Sequence, residues 1–152
     1  MANTQSMCTS FMQELMTGTH NFTTGTGDTF KAALYESTAT YNAATTAYST
    51  SGEVTGAGYT AGGVAVTNGT SPLSTNTSAT AGVAYWTPSA SITYTSVTLT
   101  TAFDAVLIYN SSKSNKAVSV HTFGSQTVTA GTFTLTMPTN NTTNALLRLA
   151  TT

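Results

Sequence analysis

Apolar residues alternate with threonine along several segments in the second half of this chain, and this two-residue period constrains the fold most strongly. Phe133, Leu135 and Met137 are separated by single threonines. Successive side chains of a β-strand point to opposite faces of its sheet. Threonine is β-branched and suits a pleated, half-buried surface. The alternation therefore predicts strands with one buried face and one uncharged, hydroxyl-bearing face.

Seven segments of the second half have strand patterns separated by Gly, Ser and Asn turns. Along residues 92–100 the apolar face shifts by one residue past Ser96, which is what a β-bulge produces. Residues 103–109 are almost continuously apolar and form the expected central strand. The polar segment 110–116 is the expected hairpin loop. The predicted strands are 83–86, 92–100, 103–109, 117–123, 126–128, 132–137 and 145–149.

The first half contains one helix candidate, residues 4–17. Met7, Phe11 and Leu15 recur at i, i+4 and i+8 on one stripe, flanked by Cys8, Met12 and Met16, as in an amphipathic helix. Gly18 is a suitable stop. This stripe has two interpretations: it packs on the core of its own domain, or it packs against a neighbouring subunit.

The length suits one domain spanning residues 1–152. After the helix, residues 28–150 are expected to form an all-β, antiparallel β-sandwich that begins with strand 30–36 and includes a short strand at 64–68. Jelly-roll and immunoglobulin-like topologies are both open. Segment 37–62 is weakly patterned and is interpreted as a long loop or an arm, inserted in the sandwich.

Only nine side chains are charged, which is 6% of the chain, whereas ordinary domains have about 25%. Four cations do not form a phosphate-binding stripe, so nucleic-acid binding is not expected. No apolar run approaches the ~18 residues of a membrane span, and residues 1–16 do not resemble a signal peptide. A nearly uncharged surface has little protection against association, so a homo-oligomer or docking onto a larger body is expected.

The sequence contains no convincing set of catalytic residues. A Ser–His–Asp set could be assembled from His121, Asp104 and a serine, but serine is too abundant for that match to be informative, and triads are recognised by geometry. His121 is expected to be a partly buried strand residue that is bonded to a backbone group. Cys8 is expected to be a small buried hydrophobe, and Asp28 to hold a turn by bonding nearby backbone N–H groups. No catalytic, cofactor or metal site is predicted, and the chain is not expected to be an enzyme.

Two groups of residues are candidates for contact with partners. The first group consists of aromatic residues, because aromatic residues with polar tips are frequent at interfaces. These residues have two interpretations: they line a surface that binds a glycan or a partner, or they cap the edges of the sandwich. Those residues are Tyr41, Tyr48, Tyr59, Tyr85 and Trp86. The second group consists of the helix stripe and the two hairpin lysines. Its members are Met7, Phe11, Met12, Leu15, Lys113 and Lys116.

Several segments together carry a family resemblance. They are SMCTSFMQELMTGTHNF, GDTFKAALYESTAT, EVTGAGYTAGG, LIYNSSKSNKAV and NALLRLA. The pattern resembles a family of small virion structural proteins of tailed bacteriophages, over nearly the whole chain. Its most specific part is LIYNSSKSNKAV, residues 107–118. The resemblance implies a particle component present in many symmetric copies, and it supplies no catalytic residues.

Three functions are therefore expected, in this order. The first is a capsid decoration or cement protein that binds the major capsid protein or other virion proteins and stabilises the head shell. The second is a tail, neck or fibre-docking component. The third is a glycan- or receptor-binding module at the virion surface, which low charge and scattered tyrosines would suit.

Overall fold

The computed structural model of this chain describes residues 2–75 and 82–151, and it is all-β and antiparallel with one short helix, as the sequence predicts. In the described part, no helix has the length and hydropathy that crossing a membrane requires. The elements in chain order are β1 (Ser6–Met7), α1 (Thr9–Met16), β2 (Phe30–Glu36), β3 (Gly56–Ala57), β4 (Val64–Val66), β5 (Leu73–Ser74), β6 (Val83–Trp86), β7 (Ile92–Leu99), β8 (Phe103–Asn110), β9 (Lys116–Gln126), β10 (Gly131–Leu135) and β11 (Leu147–Ala150).

The largest sheet has the strand order β1-β9-β8-β2-β4. Strand β8 lies at its centre, and all its residues except Asp104 are buried, which confirms the prediction from its continuous apolar run. Burial on both faces explains why this strand does not alternate. Strands β8 and β9 form a hairpin whose turn places Ser114 and Asn115 at positive φ, so the predicted hairpin loop is also confirmed.

Two smaller sheets, β10-β7-β3 and β11-β6-β5, share one hydrophobic core with the largest sheet. The rings of Phe103 in β8 and Phe133 in β10 meet edge-to-face with centroids 4.9 Å apart. The Tyr94 hydroxyl of β7 donates a hydrogen bond of 2.8 Å to the carbonyl of Ala32 in β2. Trp86 of β6 is 2% exposed and packs near Phe30 of β2. Aromatic side chains thus connect all three sheets.

The predicted bulge in β7 is present. Ser96 has a φ of 53°, and the register with β10 shifts between Gly131 paired with Val97 and Phe133 paired with Tyr94. The irregularity keeps Tyr94 and Val97 on the buried side of the strand. Strand β9, in contrast, runs unbroken from Lys116 to Gln126. It contains the predicted strand 117–123, whereas the separate strand predicted at 126–128 is wrong, because only Gln126 of it is in a strand and that residue belongs to β9.

Helix α1 begins at Thr9 and is shorter than the predicted range 4–17. Ser6 and Met7 pair with β9 as an added edge strand, and the backbone N–H of Cys8 donates to the carbonyl of Val118 at 3.0 Å. These pairings hold residues 6–8 in an extended conformation. The edge of the sheet provides hydrogen-bond partners for their backbone groups, and an additional helical turn is not needed to provide them. Gly18, with a φ of 68°, follows the end of the helix.

Segment 37–62 has little regular structure, as its weak pattern predicts, but it is packed against the domain and does not extend from it. Tyr41 lies against Tyr35 of β2, with ring centroids 3.6 Å apart, and Tyr48 stacks on Tyr109 of β8 at 4.7 Å. We call these four residues, with Tyr59, Tyr94 and the buried carboxylate of Glu53, the tyrosine cluster. The cluster fixes segment 37–62 to the sheets, so the segment is a packed loop and not an extended arm.

Candidate interaction surface

The structure divides the predicted helix stripe between the core and the surface. Phe11 is 1% exposed and lies 5.0 Å from the ring of His20 and 5.9 Å from that of Phe22. Met7 and Leu15 are half-buried and pack against the same core. Met12 is 43% exposed. Helix α1 is therefore held on its own domain by Phe11, and Met12 is the member of the stripe that faces outward.

Three further large apolar residues are exposed besides Met12. Met16 is 83% exposed at the end of α1, Leu73 is 50% exposed in β5, and Leu149 is 47% exposed in β11. The sequence pattern indicates Met16 as a contact candidate, because it flanks the helix stripe. It does not indicate the other two residues, because Leu73 lies in a polar segment and Leu149 lies in a predicted strand whose exposed face the pattern does not identify.

A cavity of about 110 Å³ lies between α1 and the β11-β6-β5 sheet, and its accessible lining is entirely apolar. An apolar cavity of about 150 Å³ accepts one benzene-sized group, so this cavity suits a single apolar side chain. We call the cavity together with the exposed Met12, Met16, Leu73 and Leu149 the apolar patch. The cavity is lined by Met7, Phe11, Leu15, Phe22, Pro72, Ala84, Tyr85, Trp86, Leu147 and Leu149.

The hairpin lysines lie elsewhere, in a network that begins at Glu14 of α1. Its carboxylate accepts hydrogen bonds from the ammonium group of Lys116 and, at 2.7 Å, from Nε2 of His20. Burial opposes ionisation of Glu14, but the hydrogen bonds from Lys116 and His20 and the charge of Lys116 outweigh it and hold the pKa of the carboxyl below its usual value. Lys116 is thus paired within its own chain.

Asp28 is the second carboxylate of this network. It accepts hydrogen bonds from the backbone N–H of Asn21 at 2.9 Å and from the side-chain amide of Asn110 at 2.8 Å. The ammonium group of Lys113 lies 3.6 Å from it. Burial raises the pKa of Asp28, but these partners lower it more, so it lies below its usual value. The prediction that Asp28 holds a turn through backbone N–H groups is confirmed.

Asn110 links the two carboxylates through His20. Its Oδ1 accepts from the backbone N–H and the hydroxyl of Ser112, and its Nδ2 donates to Asp28 and to Nδ1 of His20. This orientation makes Nδ1 of His20 an acceptor, so Nε2 bears the proton that is donated to Glu14. We call Glu14, His20, Asp28, Asn110, Lys113 and Lys116 the charged network; it includes four of the chain's nine charged side chains.

The catalytic set considered from the sequence is not assembled. His121 bonds through Nε2 to the hydroxyl of Ser119 at 2.9 Å, and Ser119 is only 1% exposed. Asp104 instead accepts from the side-chain amide of Asn3 at 2.7 Å. Burial lowers the pKa of His121 to about 4. A nucleophile with so little access to solvent is a poor candidate for attack on a substrate.

Neither the cysteine nor a group of metal-binding side chains provides a reactive site in the described part of the chain. Burial, followed by the nearby charge of Glu14, raises the pKa of the Cys8 thiol to about 12, which makes it unreactive as a thiolate. Within residues 2–75 and 82–151, no three His, Cys, Asp or Glu side chains are grouped so that they could hold a metal ion.

Comparison of the chain with known protein families, with curated proteins and with solved structures finds no match. The apolar patch and the charged network are therefore interpreted from their own geometry.

Proposed function

We propose that this chain is a structural protein of a tailed-phage virion, and that it decorates the head shell by binding the major capsid protein and stabilising it. In this proposal it has no enzymatic activity and needs no cofactor. The sequence resemblance motivates the virion assignment. The apolar patch is the structural observation that supports association, because it combines an open apolar cavity with large exposed apolar side chains, and exposed apolar surface of this kind is typical of interaction sites.

The geometry of the patch suits a protein partner. Its cavity has room for one apolar side chain, and its accessible lining contains no polar surface, as in the anchor pockets at the centres of protein interfaces. Methionine adapts its shape to a partner's surface, and Met12 and Met16 are exposed on α1, the helix that supplies Phe11 and Leu15 to the cavity lining. Repetition of such a contact by the symmetry of a particle multiplies its effect.

Other functions have less support. Tyr41 and Trp86 are buried, and Tyr48 and Tyr59 turn inward to the tyrosine cluster. The glycan-binding alternative thus loses most of the aromatic surface on which it depended. A tail, neck or fibre-docking role would use the same patch and is distinguished by abundance.

Copy number is the experiment that tests the proposal. Quantitative mass spectrometry of purified particles would give the ratio of this chain to the shell protein. A ratio near one supports decoration, since decoration follows the symmetry of the shell. A few copies per particle would replace decoration with the tail or neck role. Absence from the particles would contradict both.

Replacing both exposed methionines of α1 by aspartate, Met12→Asp with Met16→Asp, is expected to abolish particle binding without unfolding the protein. Exposed substitutions usually change stability by less than about 0.5 kcal/mol each, whereas two carboxylates in an apolar contact must be desolvated. Thermal unfolding and sedimentation with particles measure the two effects.

The matched control is Thr9→Asp with Gln13→Asp, which adds the same charges at exposed polar positions of α1. This variant is expected to bind particles as the natural protein does. Equal binding by the methionine variant would show that α1 takes no part in the contact. Phe11→Asp is unsuitable for the test, because Phe11 is a core residue.

Particle binding is also expected to be tolerant of salt, changing less than about tenfold between low and high ionic strength. The apolar patch contains no ionised side chain, so there is little Coulombic attraction for salt to screen. Binding titrations at both ionic strengths measure this. Loss of binding at high salt would instead indicate a contact through the exposed charges.

A further inference from the structure

The charged network joins α1 and the connection that follows it to the β8–β9 hairpin, which is distant in sequence. Glu14 belongs to α1, and His20 and Asp28 belong to the connection between α1 and β2. Asn110, Lys113 and Lys116 belong to the β8–β9 hairpin. The connection, residues 17–29, contains no strand or helix. Its ends are held by the network, and its middle is held by the rings of Phe22 and His20 and by hydrogen bonds from the Asn68 amide to the carbonyl of Phe22 and from the backbone N–H of Thr24 to the hydroxyl of Ser71.

We infer that the charged network is an acid-sensitive latch, and that protonation of Glu14 and Asp28 loosens the attachment of α1 and residues 17–29 to the β8–β9 hairpin, leaving them held by apolar contacts such as that of Phe11, while the sheets remain folded. This conformational device is independent of the proposed function. The inference rests on the hydrogen bonds that the two carboxylates accept and on the segments that supply them.

Each carboxylate is surrounded by donors. Glu14 faces Lys116 of β9 and His20 of the connection, and the Cys8 thiol lies close enough to sense its charge. A protonated carboxyl has lost its charge and one acceptor site. Acid therefore leaves Lys116 without a counter-charge and weakens the bond from His20, so α1 loses its polar link to the hairpin.

Asp28 is surrounded in the same way, by the amide of Asn110, the ammonium of Lys113 and the backbone N–H of Asn21. Two of these three partners belong to β8 or its hairpin turn. Protonation therefore weakens the attachment of the connection at its β2 end as well as at its α1 end.

The direction of the pH effect follows from the two carboxyls. The pKa values of Glu14 and Asp28 are lowered in the folded protein, so their stabilisation is complete above their ordinary values of about 4.5 and 3.8. It is lost as the pH falls through the lowered values. The latch is thus closed at neutral pH and opens only in acid.

The sheets have a different basis of stability. Their shared core is apolar and aromatic, and its burial does not depend on these two carboxylates. The other buried carboxylate, Glu53, faces Tyr48, Tyr59 and the backbone N–H of Gly62 in the tyrosine cluster. The test of the latch therefore uses substitutions that leave Glu53 in place.

The variant Glu14→Gln with Asp28→Asn removes both charges at neutral pH, where Glu53 is unchanged. Hydrogen exchange measured by mass spectrometry is expected to be about tenfold or more faster in peptides covering residues 9–29. Peptides covering 103–110 should exchange as in the natural protein. The control is Glu36→Gln with Asp104→Asn, which makes the same chemical changes at carboxylates outside the network and should leave residues 9–29 protected.

A second measurement uses the natural protein. Amide NMR spectra from about pH 6 to about pH 2.5 should show α1 resonances changing before those of β8. Unchanged exchange of residues 9–29 in the network variant would overturn the inference. So would simultaneous opening of α1 and β8 in the variant or on acidification, because the network would then be part of a single cooperative unit.

Discussion

Replacement of Glu53 by alanine is expected to lower the free energy of unfolding by about 4 kcal/mol. The Glu53 side chain is buried in the tyrosine cluster, with 6% exposure. Its carboxylate accepts hydrogen bonds from the hydroxyls of Tyr48 at 2.7 Å and Tyr59 at 2.8 Å, and from the backbone N–H of Gly62 at 2.8 Å. Alanine leaves these three donors without their acceptor, and each buried unsatisfied donor costs about 1–3 kcal/mol.

Glu53→Gln is the matched control and is expected to cost only about 1–2 kcal/mol. Its amide oxygen can accept from Tyr59 and Gly62, and its amide nitrogen can donate to the oxygen of Tyr48. Only the charge assistance is lost. Chemical denaturation of both variants gives the comparison. If alanine and glutamine cost the same, the hydrogen bonds to Glu53 do not hold segment 37–62 in place.

The charge of Glu53 also affects the surrounding hydroxyls. Burial, followed by the hydrogen bond and charge of Glu53, raises the pKa of Tyr48 above its usual value. Burial and Glu53 raise the pKa of Tyr59 in the same direction, against a hydrogen bond from the backbone N–H of Leu34. Both tyrosines therefore remain protonated donors at neutral pH.

Gly63→Ala is expected to destabilise the protein by about 4 kcal/mol, because it combines backbone strain with a collision. Gly63 has a φ of 68° and precedes β4. A Cβ atom there would lie 1.7 Å from the carbonyl oxygen of Ala32 and 2.8 Å from Cα of Ala33. Both atoms belong to the backbone of β2, so relief of the collision requires β2 and β4 to separate.

Gly18→Ala isolates the strain from the collision. Gly18 has the same φ of 68°, but a Cβ atom would meet nothing within 4 Å. Its substitution should cost only the left-handed strain of about 1–2 kcal/mol. Chemical denaturation gives the free energy of unfolding of each variant, and the difference between the two values is the cost of the collision with β2. Equal losses would mean that the strands move apart at little cost.

The sequence predicts the parts of the fold in which the hydrophobic pattern of one segment is enough to fix its secondary structure and its burial. The continuous apolar run of residues 103–109 predicts a central strand, and the phase shift past Ser96 predicts the bulge. Both depend on local periodicity and on burial, which one segment can reveal. The all-β class follows from the same signals repeated along the chain.

What the sequence does not predict depends on pairings between distant segments. The lysines of the hairpin appear free in the sequence, yet Lys116 pairs with Glu14, 102 positions away. The helix stripe indicates an apolar face but not how deeply Phe11 is buried. Leu149 becomes part of a patch only because β11 pairs with β6. Spacing along the chain contains no signal for any of these contacts.

The pairing of most charged side chains within the chain has a consequence for how the protein behaves in solution. The charged network and Glu53 together use five of the nine charged side chains. Hydration of the outer surface is therefore left mainly to neutral hydroxyl and amide groups. Such a protein should be easily salted out by sulfate, which strengthens apolar burial. Its solubility should change little with pH near neutrality, because few exposed groups remain to titrate and repel one another.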